Sequence, residues 1–461
     1  MMKRFIYLFL FLLPICLSAQ QPWQKSAPMT FTWKYVGGAG FTEDEAQYIS
    51  LAFSPSDGCP YLAFQDEANY NRATVMKFDG TSWVNVGNGS VKEGFADYIC
   101  LRFSQSGQPY IAFSDHNCGG RITVMKFDGN NWVNVGNPGF SDQMYACYAS
   151  IAISPSDNQP YVAYQDGNLV GRATVKKFNG TDWINVGTGA ISVGAASYEN
   201  LAFDSLGQPY VAFSDSVYGL KATVMKFTGT NWENIGSPGF SANEASYISF
   251  AINPIDNLPY VAYQNVIVTW YATVKKFDGQ NWVDVGNKDF SYGSAHFLSI
   301  AFNLAGQPYV AYHDEKYQKV MAKKIDGTTW VDVGPSNGFS AGTAYFISLA
   351  ISPTGQPYVA YTDIPNSYKA SVMKYDSVFS GVNELPGSRL SIYPNPVTDK
   401  ITIETPAKGI LSILNLSGQE LITRQITQPK ATIDISSLPN GVYFVRVKGE
   451  KNVETGKFVK E

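Results

Sequence analysis

The sequence predicts an all-β chain in which a seven-bladed β-propeller is followed by a small β-sandwich. A unit of about fifty residues recurs from Tyr48 to Lys374, and each copy contains four short apolar segments separated by turn residues. Repeat periods between about twenty and fifty residues are typical of repeat architectures. Four antiparallel strands in a repeat of this length describe one propeller blade.

The first repeat shows its four strands clearly. Strand A is YISLAF (48–53), strand B is YLAFQ (61–65), strand C is ATVMKF (73–78) and strand D is WVNVG (83–87). Strands A and B are apolar on both faces, which favours the inner positions of a stacked blade. The Asp-Gly pair between strands C and D is a strong hairpin signal.

The number of blades follows from counting two landmarks. The residues that begin strand A are Tyr48, Tyr98, Tyr148, Tyr198, Tyr247, Phe297 and Phe346. The tryptophans that begin strand D inside the repeats are Trp83, Trp132, Trp183, Trp232, Trp282 and Trp330. The missing seventh copy is WKYVG at 33–37, upstream of every repeat. We therefore expect the N-terminal strand to complete the seventh blade, which removes free sheet edges.

The C–D turn, DGTSW at 79–83, resembles the Asp-box of sialidase-like propellers, whose pattern is S-x-D-x-G-x-T-W and which lies in the same turn. The turn lacks the residue between Asp and Gly. The box is structural in that family, so the resemblance implies no activity.

Composition narrows the class of partner. Charged residues make up 16% of the chain, aromatic residues 14%, and the net charge is −4. The low charged fraction and many aromatic residues predict strands with much buried ring area. Because no long basic run exists, we expect no nucleic-acid partner. No pattern in the chain indicates a cofactor.

Residues 1–19 are predicted to be a secretory signal peptide, with a Lys-Arg start, an apolar core and a Leu-Ser-Ala cleavage site. The apolar run is shorter than the ~20 residues that span a bilayer. An alternative is lipidation at Cys16, which Ile15 disfavours. Export through the inner membrane into the periplasm follows, and no later stretch looks transmembrane.

Four cysteines remain after cleavage, and they are Cys59, Cys100, Cys118 and Cys147. They lack C-x-x-C spacing, so we expect no zinc or other metal site. Cys118 lies in the B–C loop of blade two and Cys147 just before strand A of blade three. In an oxidising compartment this pair is the best disulfide candidate.

Strand order places the B–C and D–A loops on one face of the ring and the A–B and C–D turns on the other. Each D–A loop keeps one apolar residue at a similar position, and these are Phe41, Val91, Phe140, Ile191, Phe240, Phe290 and Phe339. We interpret them as hooks that pack each loop onto the ring.

The B–C loops are predicted to share one length while their content varies freely, as binding loops on a rigid scaffold do. The ligand-binding candidates in or beside them are Tyr70, His116, Tyr218, Trp270, Tyr271, His313, Tyr317 and Tyr368. Aromatic rings with a polar tip suit contacts to sugars or peptides. Packing at the rim of the ring is the alternative interpretation.

A carboxylate ends strand B in six repeats, at Asp66, Asp115, Asp166, Asp215, Asp314 and Asp363. A basic residue follows six positions later in five of these repeats. In the fifth repeat the acid becomes Asn265 and its partner becomes Tyr271, so the two positions change together. This pattern predicts structural cross-strand ion pairs rather than metal binding or catalysis.

The histidines of the sixth repeat are the nearest approach to a catalytic pattern. Antiparallel pairing of strands A and B is expected to bring His296 and His313 close together, with Asp314 and Tyr317 following. Histidine and tyrosine can transfer protons, as in propeller-shaped polysaccharide lyases. No nucleophile or second acid accompanies them, so we assign no catalytic residue.

The repeat is lost after Asp376, and residues 377–388 are predicted to be a linker between the propeller (31–376) and a C-terminal domain (389–461). The matching motifs of that domain contain Tyr393, Pro394, Asn395 and Pro396, then Gly418, then Asn440, Gly441 and Tyr443. The domain resembles the type A sorting domain of type IX secretion system cargo proteins, and its alternation of strands and turns independently supports a small β-sandwich. The resemblance implies the type IX machinery as partner and passage across the outer membrane. It also implies release or attachment to surface lipopolysaccharide.

The sequence thus predicts a non-enzymatic binding or adhesion protein, secreted or at the cell surface, with a glycan or surface protein as ligand. A secreted polysaccharide hydrolase or lyase is the alternative, and a purely structural surface protein is a third. Regular loops favour binding, because several weak equivalent contacts act together through avidity. The fold alone does not decide among these functions.

Overall fold

The computed structural model describes residues 30–142, 145–167, 170–266, 270–378, 390–405, 408–415, 419–449 and 453–461. The chain forms two compact units, one of which is Phe31–Ser377 and the other of which contains Val378–Glu461. The predicted signal peptide and all but two residues of the predicted linker lie outside the described residues. Within the described ranges no helix has the length and apolar character needed to cross a membrane.

The larger unit is the predicted seven-bladed propeller of four-stranded antiparallel sheets. The A strands are Ala46–Phe53, Ala96–Phe103, Cys147–Ile153, the second half of Trp183–Phe203, Glu244–Ile252, Ala295–Phe302 and Ala344–Ile351. The B strands are Pro60–Asp66, Pro109–Asp115, Pro160–Asp166, Pro209–Asp215, Pro259–Val266, Pro308–Asp314 and Pro357–Asp363.

The outer strands complete each blade. The C strands are Arg72–Phe78, Arg121–Phe127, Arg172–Phe178, Lys221–Phe227, Tyr271–Phe277, Lys319–Asp326 and Lys369–Val378. The D strands are Trp83–Ser90, Trp132–Asn134, the first half of Trp183–Phe203, Trp232–Asn234, Trp282–Asp284, Thr329–Asp332 and Thr30–Tyr35. Where the loop after the B strand is fully described, single-turn 3₁₀ helices include Glu67–Asn69, His116–Cys118, Ser216–Tyr218 and Ile364–Asn366.

The N-terminal strand closes the ring, as the sequence predicts. Thr30–Tyr35 lies beside Lys369–Val378 at the outer edge of the seventh sheet. Beyond the strand, the Val36 amide donates a hydrogen bond to the Val372 carbonyl at 2.8 Å. The first and last strands of the propeller therefore belong to one blade, and that blade depends on residues more than three hundred positions apart.

The apolar core lies between neighbouring blades. Every residue of the first B strand, Pro60–Asp66, is buried. One cluster joins Ala63 and Val75 of blade one to Leu101 and Ile111 of blade two. Because each B strand is covered on both faces, its sequence is mostly apolar and does not alternate between apolar and polar residues.

A ring of hydrogen bonds from tryptophan joins each blade to the one before it. The indole Nε1 of each D-strand tryptophan donates to a main-chain carbonyl of the preceding D segment at 2.7–2.8 Å. The pairs are Trp83–Val36, Trp132–Val86, Trp183–Val135, Trp232–Val186, Trp282–Ile235, Trp330–Val285 and Trp33–Val333.

The predicted hooks of the D–A loops pack onto these same tryptophans. Phe41 stacks on Trp83 with ring centroids 4.7 Å apart. Phe140 stacks on Trp183 at 4.0 Å. The hook and the indole hydrogen bond thus hold the same tryptophan from two sides.

The C–D turn is stabilised by its own aspartate. Asp79 Oδ1 accepts hydrogen bonds from the amides of Thr81 and Ser82, both at 2.8 Å. Gly80 has a φ of +104°, a conformation that favours glycine. These contacts give the turn the structural role that its resemblance to the Asp-box implies.

The C-terminal unit contains two small antiparallel sheets. One has the strands Ser391–Tyr393, Lys400–Glu404 and Lys430–Asp434. The other has the strands Glu420–Ile426, Gly409–Leu414, Gly441–Gly449 and Val453–Lys460, in that spatial order. Buried residues from both sheets, including Ile401, Ile413 and Val445, form one core, as in a sandwich.

We predict that Trp33→Phe destabilises the propeller by about 1–3 kcal/mol, because it leaves the buried Val333 carbonyl without its donor. The phenyl ring keeps most of the stacking on Phe339, which lies 3.8 Å from the Trp33 ring. Chemical denaturation followed by circular dichroism measures the change. Trp270→Phe, at an exposed loop position, is the matched control. Equal stability of the two variants would contradict a stabilising role for the Trp33 indole hydrogen bond.

Candidate functional site

Four aromatic candidates of the B–C loops are exposed on the rim of the loop face. They are Tyr70, Tyr218, Trp270 and Tyr368. Tyr70 is the most open, with 74% of its surface exposed, and the Arg72 guanidinium lies 5.5 Å from its ring centroid. These side chains are available to a ligand.

The candidates are distributed around the ring and do not converge on one pocket. His116 is exposed in blade two and lies 2.7 Å from Asp97 Oδ2. Tyr271 and Tyr317 are half-buried in blades five and six. Tyr317 packs against Tyr292 with ring centroids 5.4 Å apart. The loop face therefore presents separate aromatic contacts rather than one enclosed site.

The predicted uniform length of the B–C loops is wrong for blade six. Asp314 pairs with Lys319, whereas in blade one Asp66 pairs with Arg72. The loop of blade six is therefore one residue shorter. The loop length was predicted wrongly because Met321 stands where the other repeats have threonine or serine. No residue of the sequence therefore marks the start of this C strand.

The two histidines of blade six come together as expected. His296 and His313 are cross-strand partners with ring centroids 6.2 Å apart. Burial lowers the pKa of His313 to about 4, and the nearby His296 adds to the shift. His313 is thus neutral at physiological pH. The ring centroid of Trp270 lies 6.4 Å from that of His296. The three rings form a small aromatic cluster at the rim.

The acid beside this pair has a structural role. Asp314 is fully buried and accepts hydrogen bonds from the amides of Tyr292, Gly293 and Lys316. Its carboxylate orders the ends of two loops. No cluster of three or more His, Cys, Asp or Glu side chains in the described ranges has the geometry of a metal site.

The predicted cross-strand ion pairs at the ends of the B strands are wrong. Backbone register places each acid opposite its basic residue, as for Asp66 and Arg72. Yet the ion pairs between described residues include none of these pairs.

The carboxylates turn inward instead. Asp66 accepts from the Thr74 hydroxyl at 2.9 Å, and Asp363 accepts from the Ser371 hydroxyl at 2.7 Å. Asp115 accepts from Thr123 in the same way and forms its ion pair with Lys92 of a D–A loop. A buried hydroxyl satisfies each of these acids without fixing a long, half-buried basic side chain in one geometry, a cost that offsets much of the gain from an ion pair near the surface.

The predicted disulfide is also absent from the structure, in which Cys118 and Cys147 are both free thiols. The Cys118 thiol donates to Asp115 Oδ2 at 3.4 Å. The Cys147 thiol donates to the Tyr145 carbonyl at 3.7 Å. Each cysteine is thus directed towards a polar group of its own loop or strand.

The axis of the propeller holds a feature that the sequence reasoning missed. One aromatic residue near the start of each A strand contributes to a closed ring of side chains, which we call the collar, and the seven are Tyr48, Tyr98, Tyr148, Tyr198, Tyr247, Phe297 and Phe346. Each ring contacts the next, with centroids 4.9–5.7 Å apart. The signal was present as an aromatic residue at the same place in every repeat.

The collar is built on strained backbone. All seven residues have φ between +48° and +59°, which is uncommon for residues other than glycine. Every A strand bulges here, as between Gln47 and Ser50 in blade one. The bulge lets two consecutive residues line the channel. Such strain costs about 1–3 kcal/mol per residue and persists where the surrounding structure enforces it.

One collar neighbour is a buried acid. Glu199 follows Tyr198 and is only 3% exposed. Neither carboxylate oxygen has a hydrogen-bond partner among the described residues. Burial raises the pKa of Glu199 to about 8. The side chain lines a cavity of about 280 Å³ together with the collar.

The channel is less symmetric than the collar. The six residues equivalent to Glu199 are apolar, and they are Ile49, Ile99, Ala149, Ile248, Leu298 and Ile347. Arg102 replaces the alanine found at its position in the other blades and lines both ends of the channel. Asn200 replaces a serine or cysteine and donates to the carbonyls of Tyr198 and Ile248.

In the C-terminal unit, the predicted sorting motifs meet at the end of the chain. Asn395 Oδ1 accepts from the Val459 amide at 2.9 Å. Tyr443 stacks on Phe458 with centroids 5.5 Å apart, and its hydroxyl donates to the Pro439 carbonyl at 2.6 Å. Gly418 of the motif lies outside the described residues. The motifs thus correspond to contacts that tie the last strand to the rest of the unit.

The structure defines a class of protein in which a seven-bladed propeller, with a loop face and an axial channel, precedes a small two-sheet C-terminal unit. Residues 391–461 match the family model of the secretion system C-terminal sorting domain. This segment belongs to that family and marks the chain as cargo of the type IX secretion system. The protein is therefore exported, to the cell surface or beyond it.

Comparison with solved structures adds the fold of the propeller. The extracellular domain of a proposed one-component system from B. thetaiotaomicron matches with 12% identity and a TM-score of 0.50, over 93% of this chain and 59% of that one. An ulvan lyase, described as a new family of polysaccharide lyase, matches with 11% identity and a TM-score of 0.47, over 77% and 97%.

PorZ, a surface component of the type IX secretion system of Porphyromonas gingivalis, matches with 13% identity and a TM-score of 0.40, over 90% of this chain and 70% of that one. At these identities the likeness concerns the fold alone. No curated protein sequence matches the chain.

We predict that Glu199 makes the propeller less stable as the pH rises. Below about pH 4.5 the carboxyl is protonated in both the folded and the unfolded chain. Between about pH 4.5 and about pH 8 the unfolded chain ionises while buried Glu199 stays neutral, so the free energy of unfolding falls. Glu199→Gln should remove a loss on the order of a few kcal/mol.

Thermal unfolding across this pH range measures the effect. Glu233→Gln, at an exposed position in blade four, is the control and should follow the parent protein. Parallel stability curves for the parent and Glu199→Gln would show that Glu199 is solvated or paired.

We also predict that Asn395→Ala reduces export, because the Val459 amide loses its acceptor and the terminal strand loosens by about 1 kcal/mol. The readout is the fraction of protein outside the cells in a host with a type IX secretion system. Asn134→Ala, an exposed propeller position, is the matched control. Export of both variants at the parent level would contradict the role of this contact.

Proposed function

We propose that the protein is a non-enzymatic binding or adhesion protein of the cell surface, which uses the loop face of the propeller to hold a glycan or a protein ligand. The observation that carries the proposal is the set of four exposed aromatic side chains in the B–C loops of that face, which lie in blades one, four, five and seven. The sorting domain delivers this face to the outside of the cell.

The distribution of the contacts supports binding over catalysis. Exposed Tyr70, Trp270 and Tyr368 lie in blades one, five and seven. Each ring offers an apolar face, and the tyrosines add a polar tip, a combination that suits sugar and peptide contacts. Contacts spread over several blades suit a repetitive or extended ligand, because linked weak contacts reinforce one another.

A polysaccharide-active enzyme is the second candidate, and the cluster of blade six favours it. Neutral His313 lies beside His296, with Trp270 next to the pair. A neutral imidazole can accept a proton. Asp314 is committed to loop amides, and the acid that remains beside the pair is Glu315, whose Oε2 lies 3.7 Å from His296 Nε2.

A glycan array probed with the mature protein tests the proposal. Trp270→Ala together with Tyr368→Ala should weaken binding about tenfold or more, since each aromatic contact to the ligand contributes about 1 kcal/mol. Leu206→Ala, an exposed apolar residue in an A–B turn on the opposite face, is the matched control.

The alternative is tested on the same ligands. Release of unsaturated or reducing saccharides that is lost in His313→Ala would favour the enzyme and overturn the binding-only proposal. Absence of binding to every glycan, with retained capture of a surface protein, would assign the loop face to a protein ligand.

A further inference from the structure

We propose that the axial channel is a second binding site, independent of the loop face, in which the aromatic collar and the Glu199 carboxylate hold an organic ammonium group. The ligand class is a small alkylammonium ion or the ammonium end of a larger molecule. The proposal rests on the geometry of the collar, on the unpartnered acid beneath it and on the departure of that acid from the repeat.

The collar has the dimensions of a cation site. Neighbouring ring planes make angles of 45–53°. This is about one seventh of a turn, so the ring planes run parallel to the axis of the propeller. A regular heptagon with the observed sides places each centroid about 6 Å from the axis, the outer limit for cation–π attraction. A cation displaced from the axis approaches two or three rings more closely.

The acid supplies the complementary charge. Glu199 lines the same cavity as the collar and is almost completely buried. A buried polar group without a partner is costly, and a carboxylate without a counter-charge is more costly still. A bound ammonium ion would give the ionised carboxylate the partner that no described residue provides.

The repeat shows that the acid is not required by the fold. Six blades place an apolar side chain at this position, and four of them have the isoleucines Ile49, Ile99, Ile248 and Ile347. Ala149 stands at the same position in the blade beside Glu199 and leaves space next to the carboxylate. The volume of about 280 Å³ is sufficient for a small organic cation.

No other charged group that lines the channel pairs with the Glu199 carboxylate among the described residues. Arg102 lines the same cavity, but its Nη1 donates to the Leu101 carbonyl at 2.7 Å, and it forms no ion pair with Glu199 among the described residues. The titratable groups that face Glu199 are Tyr148 and Cys147. Both are neutral at physiological pH, because burial raises the pKa of each.

Calorimetric titration of the mature protein with choline tests the proposal. Choline keeps its charge at every pH, so any pH dependence of its Kd reports on the protein. We expect saturable binding that tightens as the pH rises through about 8 and Glu199 ionises. The uncharged carbon analogue, in which a tert-butyl group replaces the trimethylammonium group, should bind about tenfold more weakly or worse.

Variants separate the two parts of the site. Glu199→Gln should weaken choline binding about tenfold and remove its pH dependence. Glu199→Ile, which introduces the residue found in four other repeats, should do the same and guards against misfolding of the first variant. Tyr148→Leu should weaken binding, whereas Tyr148→Phe should retain it, because two collar positions already hold phenylalanine.

Several results would overturn the proposal. They are no heat of binding at millimolar choline, equal affinity for the uncharged analogue, or unchanged affinity in both Glu199 variants. Trp270→Ala of the loop face should leave choline binding unchanged. This variant therefore distinguishes failure of the channel site from failure of the loop-face function.

Discussion

The propeller depends on the seven hydrogen bonds that join each D-strand tryptophan to the preceding blade. Each bond fixes the outer strand of one blade against its neighbour, while the D–A hook stacks on the same indole. The ring closes only when Trp33 reaches the Val333 carbonyl at 2.7 Å. The N-terminal strand therefore supplies the D strand that the seventh repeat lacks. This explains why the repeats contain seven A strands but only six D-strand tryptophans.

A second ring of contacts lies closer to the axis. In five blade junctions a serine of one A strand accepts a hydrogen bond from an amide of the next A strand, as Ser50 does from Leu101 at 3.0 Å. Each A strand is the inner edge of its blade, so this amide can face the neighbouring blade. Cys100 and Asn200 replace the serine in blades two and four. These blades also hold Arg102 and Glu199, so the inner ring is altered where the channel becomes polar.

Much of the fold could be predicted because repetition makes its rules visible. The Asp-Gly turns, the apolar B strands and the missing tryptophan each have a local physical cause that the sequence displays. The side-chain partners could not be predicted in the same way. Asp66 stands opposite Arg72, yet it bonds to Thr74, because a carboxylate can turn towards any donor within reach, and register alone does not select one.

The channel was missed for a different reason. Strict alternation of faces along a strand would place Tyr198 and Glu199 on opposite sides. The bulge breaks that alternation, so both line the channel. A local backbone irregularity of this kind has no clear sequence signature when the residue at its centre is tyrosine or phenylalanine and not glycine. The blade-six loop shows a similar limit, since Met321 replaces the threonine or serine that marks this position in the other repeats and so concealed the missing residue.

Because the blades repeat, a residue that differs from all its equivalents in the other blades is informative. On the loop face every blade differs, so a single aromatic residue there carries little information on its own. In the channel, six of the seven blades place an apolar residue at one position, and the seventh places Glu199 there. An acid at one copy raises the free energy of the folded chain unless something in the channel compensates for it. The asymmetry of Glu199 therefore indicates function more strongly than the variety of the loops, although the loops are far more exposed.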